Sequence, residues 1–171
     1  MIVVFRKVKT AVGPLTLFAE EKKLVGVTWD KNDFAEIKKK LGATTHFVDD
    51  RRENVLLNEA EKQLGEYFSG KRQKFDLPFK FYGTAFQVRV WKALQKIPYG
   101  KTVSYSQIAK KVGSLKACRA VGAANGKNPL SVFVPCHRVI GASGALVGFG
   151  AGLEAKSFLL HLEGKRGAHL I

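Results

Sequence analysis

The sequence contains little cysteine and little histidine, and this limits the chemistry it can carry. Its 171 residues include two cysteines, Cys118 and Cys136, and four scattered histidines. These residues show no metal-ligand spacing, so we predict no structural metal. The chain also starts without the basic segment, sustained apolar stretch and small-residue cleavage site of a signal peptide. A disulfide is therefore not expected.

Long apolar runs are absent as well. No stretch of the sequence is apolar over a length that could cross a membrane. We therefore expect a cytoplasmic protein with no membrane partner. Hydrophobic residues still make up 46% of the chain, which is ordinary for a protein with a buried core. The length suits one large domain or two small ones.

Acidic residues are scarce relative to basic ones. The chain has 14 Asp and Glu against 29 Lys and Arg, a formal net charge of +15. A field of this sign attracts polyanions and speeds their capture, so nucleic acid is the leading candidate partner. A lysine-rich solvated surface explains the same charge equally well.

The first part of the chain, residues 1–80, predicts an α/β unit with no visible chemistry. Three strand-like segments are separated by turn residues and lie at 2–8, 15–19 and 24–29. The first turn is expected at Gly13-Pro14. Two helices and an extended segment follow, at 34–41, 54–68 and 75–81.

The second part, residues 81–171, contains two helix-start signatures. Thr84 with Gln87, and Ser104 with Gln107, have the spacing of capping boxes. We predict a further helix from 115 to about 124, with Ser114 as its N-cap. Two short helices around a glycine-containing turn match a helix-turn-helix, but ordinary helical hairpins have the same pattern.

That last helix is rich in small residues, with Arg119 as its one long projection. Small side chains allow a close approach either to DNA or to a neighbouring helix, and composition does not separate the two.

Cys136 is a candidate nucleophile. A thiol reacts as its thiolate, and a neighbouring imidazole or cation favours that form. His137 and Arg138 supply both types next in sequence. If the segment is a strand, however, His137 points to the opposite face and reaches the thiol only through a turn or a water. A buried packing cysteine is the alternative.

Motifs in the second part occur in a recognisable order. They are Gly83-Thr84-x-Phe86-Gln87, Val90-Trp91, Ile97-Pro98-x-Gly100, Ser104-Tyr105, Arg119-Ala120-Val121-Gly122, Asn128-Pro129, Pro135-Cys136-His137-Arg138-Val139, Ser143-Gly144 and Leu159-Leu160-x-x-Glu163-Gly164. This set resembles the methylated-DNA–protein-cysteine methyltransferases, also called O6-alkylguanine-DNA alkyltransferases. The resemblance covers residues 83 to 164; the first 80 residues match only in general size and strand pattern.

The resemblance implies an α+β protein. Its N-terminal α/β domain would be ribonuclease H-like, and a mostly helical winged or helix-turn-helix DNA-binding domain would follow. Such proteins act as monomers on double-stranded DNA containing O6-alkylguanine, need no cofactor, and rotate the damaged base out of the duplex. Arg119 would fill the gap that the rotated guanine leaves in the base stack of the duplex. Its helix would lie in the minor groove, where Ala120 and Gly122 add little bulk. Ser104 and Arg138 would also contact DNA.

The same resemblance assigns the chemistry. Cys136 attacks the alkyl carbon and keeps the group as a thioether, so each molecule acts once. His137 takes the thiol proton through a water, and Glu163 orients His137. Asn128 holds the turn around the cysteine.

The resemblance also implies a guanine pocket. Tyr105 would bind N3 of the base, and the carbonyls of Cys136 and Val139 would accept from its exocyclic amine. The backbone N–H of Gly150 would donate to O6, and Phe149 would stack.

Two rival functions can be compared with this assignment. A non-catalytic sensor of alkylguanine would lack the acceptor cysteine, which is present here. A thiol hydrolase using Cys136 and His137 would turn over repeatedly, and mass measurement after exposure to substrate separates it from a single-use acceptor.

Overall fold

The structure is a computed structural model and describes residues 1–29 and 33–164. Residue contacts divide the chain into two units, one from Met1 to Tyr82 and one that begins at Gly83. The α+β class predicted from the sequence is confirmed.

The first unit is built on a four-stranded sheet. Its strands are β1 (Ile2–Thr10), β2 (Gly13–Glu20), β3 (Lys23–Thr28) and β4 (His46–Asp49). Their order is β3-β2-β1-β4; β1 and β2, and β2 and β3, pair antiparallel, while β1 and β4 pair parallel. The three predicted strands are confirmed, and β4 was not predicted.

Two helices complete this unit, α1 (Asp33–Leu41) and α2 (Val55–Phe68). Asn54 caps α2 by accepting from the N–H of Leu57 at 3.0 Å. The two helices use different faces of the sheet because side chains alternate along a strand. Phe5 on β1 contacts Phe34 of α1 edge to face, whereas the adjacent Arg6 hydrogen bonds to Asn58 of α2.

Two local predictions need correction or refinement. The first turn lies at Ala11–Val12, not at Gly13-Pro14, because Gly13 pairs with Thr10 as the first residue of β2. The predicted extended segment near Pro78 is confirmed. It pairs with the edge strand β3, where Leu24 donates to the Pro78 carbonyl and accepts from the N–H of Lys80, both at 2.9 Å.

The second unit is mostly helical. Its elements are α3 (Ala85–Leu94), β5 (Val103–Ser104), α4 (Tyr105–Lys111), α5 (Cys118–Gly126), a 3-10 helix (Cys136–Arg138), β6 (Val139–Ile140) and α6 (Leu153–Leu162). Both capping boxes are confirmed, with the hydroxyls of Thr84 and Ser104 accepting from the N–H of Gln87 and Gln107.

The helix-turn-helix pair is α4 and α5, but the start of α5 differs from the prediction. The helix begins at Cys118 and its N-cap is Ala117, which makes no side-chain cap. Ser114 instead accepts the N–H of Ala117 through its carbonyl at 3.0 Å, so a turn occupies the predicted first helical residues. Cys118, the first residue of α5, is half-buried.

Three contacts hold the second unit around the Cys136 segment. Trp91 of α3 donates from Nε1 to the Ala124 carbonyl of α5 at 2.8 Å. Asn125 of α5 donates from Nδ2 to the carbonyl of Cys136 at 3.4 Å. Strands β5 and β6 pair parallel, with Val103 opposite Val139, which places the start of α4 beside the residues that follow Cys136.

Candidate active site

The backbone before Cys136 is fixed by a single amide side chain. Asn128 donates from Nδ2 to the Val134 carbonyl at 2.8 Å, and its Oδ1 accepts from the N–H of Leu130 at 3.0 Å. Between these contacts Val132 has a φ of 74°, a conformation that a β-branched residue rarely adopts. Such a residue stays in place only where its surroundings determine the backbone, and Asn128 supplies that constraint.

Cys136 itself lies in a 3-10 helix and not in a strand. Its side chain is buried, and Sγ lies 3.8 Å from Oγ of Ser131. Burial raises the pKa of the thiol, opposed by hydrogen bonds from Asn128 and Ser131 and by the charge of Lys156. The thiol therefore carries its proton until a base removes it. Cys136 and His137 therefore lie on a helical turn, which is one of the two geometries given in the sequence analysis. The strand geometry, in which adjacent side chains point to opposite faces, does not occur here.

His137 is held by a buried carboxylate. Its Nε2 lies 2.9 Å from Oε1 of Glu163, and both side chains are fully buried. Burial lowers the pKa of His137, so the imidazole is neutral near pH 7. Burial alone would raise the pKa of Glu163, but hydrogen bonds from His137 and Arg138 hold it at about 2. Since an ionised carboxylate only accepts, Nε2 carries the proton and the basic nitrogen of this tautomer is Nδ1.

Arg138 has a different place from the one predicted. Its Nε and Nη2 donate to the two carboxylate oxygens of Glu163 at 2.9 and 2.8 Å, and Nη1 donates to the Ile97 carbonyl at 2.6 Å. The side chain is buried. The predicted DNA contact of Arg138 is wrong for this reason: its guanidinium is directed inward and neutralises Glu163.

The predicted guanine pocket lies around Tyr105, at the start of α4. The Tyr105 hydroxyl donates to the Val147 carbonyl at 3.0 Å, and the ring is half-buried. Burial, and then the nearby Cys136, raise the pKa of this phenol, which therefore remains a donor. Phe149 and Gly150 follow in the loop before α6, Phe149 half-buried and Gly150 exposed. Their contacts with a base stay predictions.

The predicted DNA-contacting surface lies on α5 and at the cap of α4. Arg119 and Ala120 are exposed, and Gly122 is half-buried with its Cα facing the Tyr105 ring. The Ser104 hydroxyl accepts from the N–H of Gln107 at 3.2 Å and lies 2.9 Å from Oγ of Ser106. Its capping role is thus observed, while its DNA contact stays a prediction.

The sequence analysis missed Lys156, which is fully buried in α6. Its burial could have been predicted from its position, because Lys156, Leu159 and Leu160 have the i, i+3, i+4 spacing of one helix face. Ser131 was also missed, and no local pattern distinguishes it.

Two further properties of the described residues concern metal binding and membranes. Within residues 1–29 and 33–164, no group of three or more His, Cys, Asp and Glu is arranged to hold a metal ion. None of the helices in this part of the chain combines the length and apolar character needed to cross a membrane.

The fold and this site define a class of protein: a helical unit of DNA-binding type that carries a buried cysteine beside a histidine–glutamate pair. Residues 85–165 match the family model of the 6-O-methylguanine DNA methyltransferase DNA-binding domain. Residues 3–81 match the model of the ribonuclease-like domain of the same family. The chain belongs to the 6-O-methylguanine DNA methyltransferase family.

Individual relatives agree over nearly the whole length. The constitutive methylated-DNA–protein-cysteine methyltransferase of Bacillus subtilis is 46% identical over 156 residues, which cover 91% of this chain and 92% of the relative. The enzyme of the same name from Methanosarcina acetivorans is 44% identical, with 91% and 95% covered. A crystal structure of Mycobacterium tuberculosis OGT in complex with DNA has a TM-score of 0.82 at 40% identity, with 95% and 94% covered.

Proposed function

We propose that this protein repairs DNA directly, by transferring the alkyl group from O6 of an alkylated guanine to Sγ of Cys136. One observation carries the proposal. The buried thiol is followed in the chain by an imidazole that is fixed on an ionised carboxylate. Relatives that share more than two fifths of the sequence are named for this transfer.

The arrangement supports a base-assisted displacement. The imidazole of His137 is neutral, and its Nε2–H is directed at Glu163, so Nδ1 is the atom that takes up a proton. Transfer from the Cys136 thiol to Nδ1, directly or through a water, generates the thiolate where it is used. Glu163 then stabilises the imidazolium, as the third member of a nucleophile–base–orienter series.

The atoms of the transfer balance without a cofactor. The sulfur forms a bond to the alkyl carbon while the bond between that carbon and O6 breaks. The bonding pair remains on the guanine, which takes up one proton and leaves as the normal base. The protein keeps a thioether, which thiol exchange does not cleave, so one molecule repairs one lesion.

The DNA side of the proposal rests on α4 and α5. The chain carries a net charge of +15, and the helix-turn-helix ends in an exposed surface that includes Arg119. We propose that α5 lies in the minor groove of duplex DNA. Ala120 and Gly122 would let its backbone approach, and Arg119 would enter the stack where the lesion leaves it. The extruded guanine would then bind between Tyr105 and the 147–150 loop, on a monomeric protein.

Intact mass spectrometry tests the proposal. The protein is incubated with an excess of duplex DNA that contains O6-methylguanine, and with the same duplex containing guanine as the control. We expect a gain of one methyl group per protein, located on Cys136 by peptide digestion. Repeated turnover without a stable adduct would instead support the thiol hydrolase, and label on Cys118 would contradict the assignment of the nucleophile.

A further inference from the structure

The second unit of the chain is strongly unbalanced in charge. Residues 83–164 contain eleven Lys and Arg against two acidic residues, Glu154 and Glu163. Arg138, Lys156 and Glu163 are buried, which leaves nine basic side chains, and all nine are exposed. The surface that this part of the chain presents to solvent therefore carries nine cations and one carboxylate.

Three of these cations form a row on α3, which we call the α3 basic stripe. Arg89, Lys92 and Lys96 are exposed and have the i, i+3, i+7 spacing of one side of a helix. Seven residues of helix place the two ends of the row about 10 Å apart along the axis. Val90 and Leu94 are fully buried and belong to the opposite side of the helix. The stripe is therefore the outward side of α3.

The stripe has no anion of its own. Among the residues that the structure describes, none of the three side chains lies within ion-pair distance of a carboxylate. In the first unit, by contrast, exposed Lys80 pairs with Glu20 at 2.8 Å. Like charges three and four residues apart destabilise a helix, as Arg89 with Lys92 and Lys92 with Lys96 do here. An external anion that neutralised the stripe would remove this repulsion.

The stripe and the proposed DNA surface of α5 point in different directions. α3 packs on α5, where Trp91 donates to the carbonyl of Ala124 at 2.8 Å. On α5 the residues Val121 and Ala124 are buried, whereas Arg119 is exposed on the other side of the helix. Two helices, each about 10–12 Å across with their side chains, therefore separate Arg119 from the stripe. A duplex that lies on α5 leaves the stripe accessible.

We propose that the α3 basic stripe binds the phosphate backbone of a second DNA segment while a first segment lies on α5. This inference goes beyond alkyl transfer and rests on the proposed function only for the first duplex. The phosphates of one strand follow each other at about 3.4 Å along the duplex axis, so a row of about 10 Å spans several of them. Contacts to phosphates carry no sequence information, so any duplex serves. A protein that holds two segments moves from one to the other without first dissociating into solution.

Release kinetics test this second site. The parent is bound to a fluorescent duplex that contains no alkylguanine, and is then mixed with increasing concentrations of the same duplex without the label. Transfer through a second site makes the rate constant of release, followed by anisotropy, rise with competitor concentration. The triple variant Arg89→Gln, Lys92→Gln and Lys96→Gln should reduce the slope of this rise about tenfold or more, because up to three phosphate contacts are lost. Its rate constant extrapolated to zero competitor should stay within about threefold of the parent.

A second triple variant is the matched control for the loss of three charges. It carries Lys22→Gln, Lys23→Gln and Lys39→Gln, at exposed positions of the first unit. This control should keep the slope of the parent. The two triple variants should also bind the first duplex with equal affinity, and both should become methylated on Cys136 in the mass assay.

Four outcomes overturn the second site. Two are a rate constant of release that does not depend on competitor in the parent, and an unchanged slope in the α3 variant. The third is a first-duplex affinity that is lower in the α3 variant than in the control, which would place the stripe in the same footprint as α5. The fourth is release accelerated by poly-glutamate and not by duplex, which would assign the stripe to an acidic protein. Absence of methylation on Cys136 in the parent would instead reject the proposed function and leave the release kinetics to be judged separately.

Discussion

Glu163→Gln is the substitution that tests the buried ion-pair cluster most directly. In the structure Oε1 of Glu163 accepts from His137 and Arg138, and Oε2 accepts from Arg138 and from the N–H of Gly100. An amide of the same shape places its NH2 group against N–H donors whichever way it turns. It also leaves the buried guanidinium of Arg138 without its anion.

Two considerations give the order of magnitude of the stability cost. Breaking a buried ion pair by removing one partner costs about 3–5 kcal/mol. The pKa of Glu163 is about 2, against an ordinary value of 4.5, and proton linkage converts that difference to about 3 kcal/mol at neutral pH. For a chain of this length, about 3 kcal/mol lowers Tm by about 6–12 °C.

Thermal unfolding followed by the fluorescence of Trp91, in a Trp29→Phe background, reports on the second unit. Glu154→Gln is the matched control, since it makes the same change at an exposed position of α6 and should cost less than about 1 kcal/mol. Because the pKa of Glu163 is depressed, its contribution is complete above pH 4.5 and is lost as the pH falls towards 2. The Tm gap between parent and Glu163→Gln should therefore narrow on acidification.

The same variant should transfer alkyl groups about 10²-fold more slowly or worse, because His137 loses the partner that fixes its tautomer. Two results would refute the stabilising role of the Glu163 carboxylate beside His137 and Arg138. One is a Tm of Glu163→Gln equal to that of Glu154→Gln at pH 7, and the other is a Tm difference between parent and Glu163→Gln that does not change with pH.

Three further predictions concern the nucleophile and the DNA surface. Cys136→Ala should lose all methyl transfer but keep its affinity for alkylated duplex in a fluorescence-anisotropy titration; residual transfer would mean that another group is the acceptor. Arg119→Ala should slow repair of duplex DNA far more than reaction with free O6-benzylguanine, because a free base needs no extrusion; equal losses in the two rate measurements would remove its place in the stack. Binding should weaken with salt, with log K falling by about 0.9 per phosphate contact for each decade of salt; a flat response in the same titration would point to a partner other than DNA.

Local signals in the sequence were sufficient for much of the fold. The capping boxes at Thr84 and Ser104 are contained in four consecutive residues, so no distant contact is needed to predict them. Strands β4, β5 and β6 are two to four residues long and depend on pairing with distant segments. The alternation of apolar and polar residues that marks a strand cannot be recognised over so few residues, and these strands were not predicted.

The site was predictable only in part, for the same kind of reason. Cys136 and His137 are adjacent and suggest their chemistry directly, whereas Glu163 was assigned through a resemblance because it lies 26 residues away from its partner His137. Arg138 was misassigned because a basic residue gives no indication of whether its partner is a phosphate or a buried carboxylate. Lys156 was missed because lysine is normally assigned to the surface.

The hydrogen bond from Asn125 to the Cys136 carbonyl joins the candidate site to α5, the helix that is proposed to bind DNA. Arg119 and Asn125 lie on the same helix, six residues or about 9 Å apart along its axis. The end of α5 that contains Asn125 is hydrogen bonded to the Cys136 backbone and to Trp91, so a movement of the thiol segment towards bound DNA would strain these two contacts. If α5 binds DNA as proposed, the damaged nucleotide therefore has to move towards the thiol, and not the thiol towards the duplex.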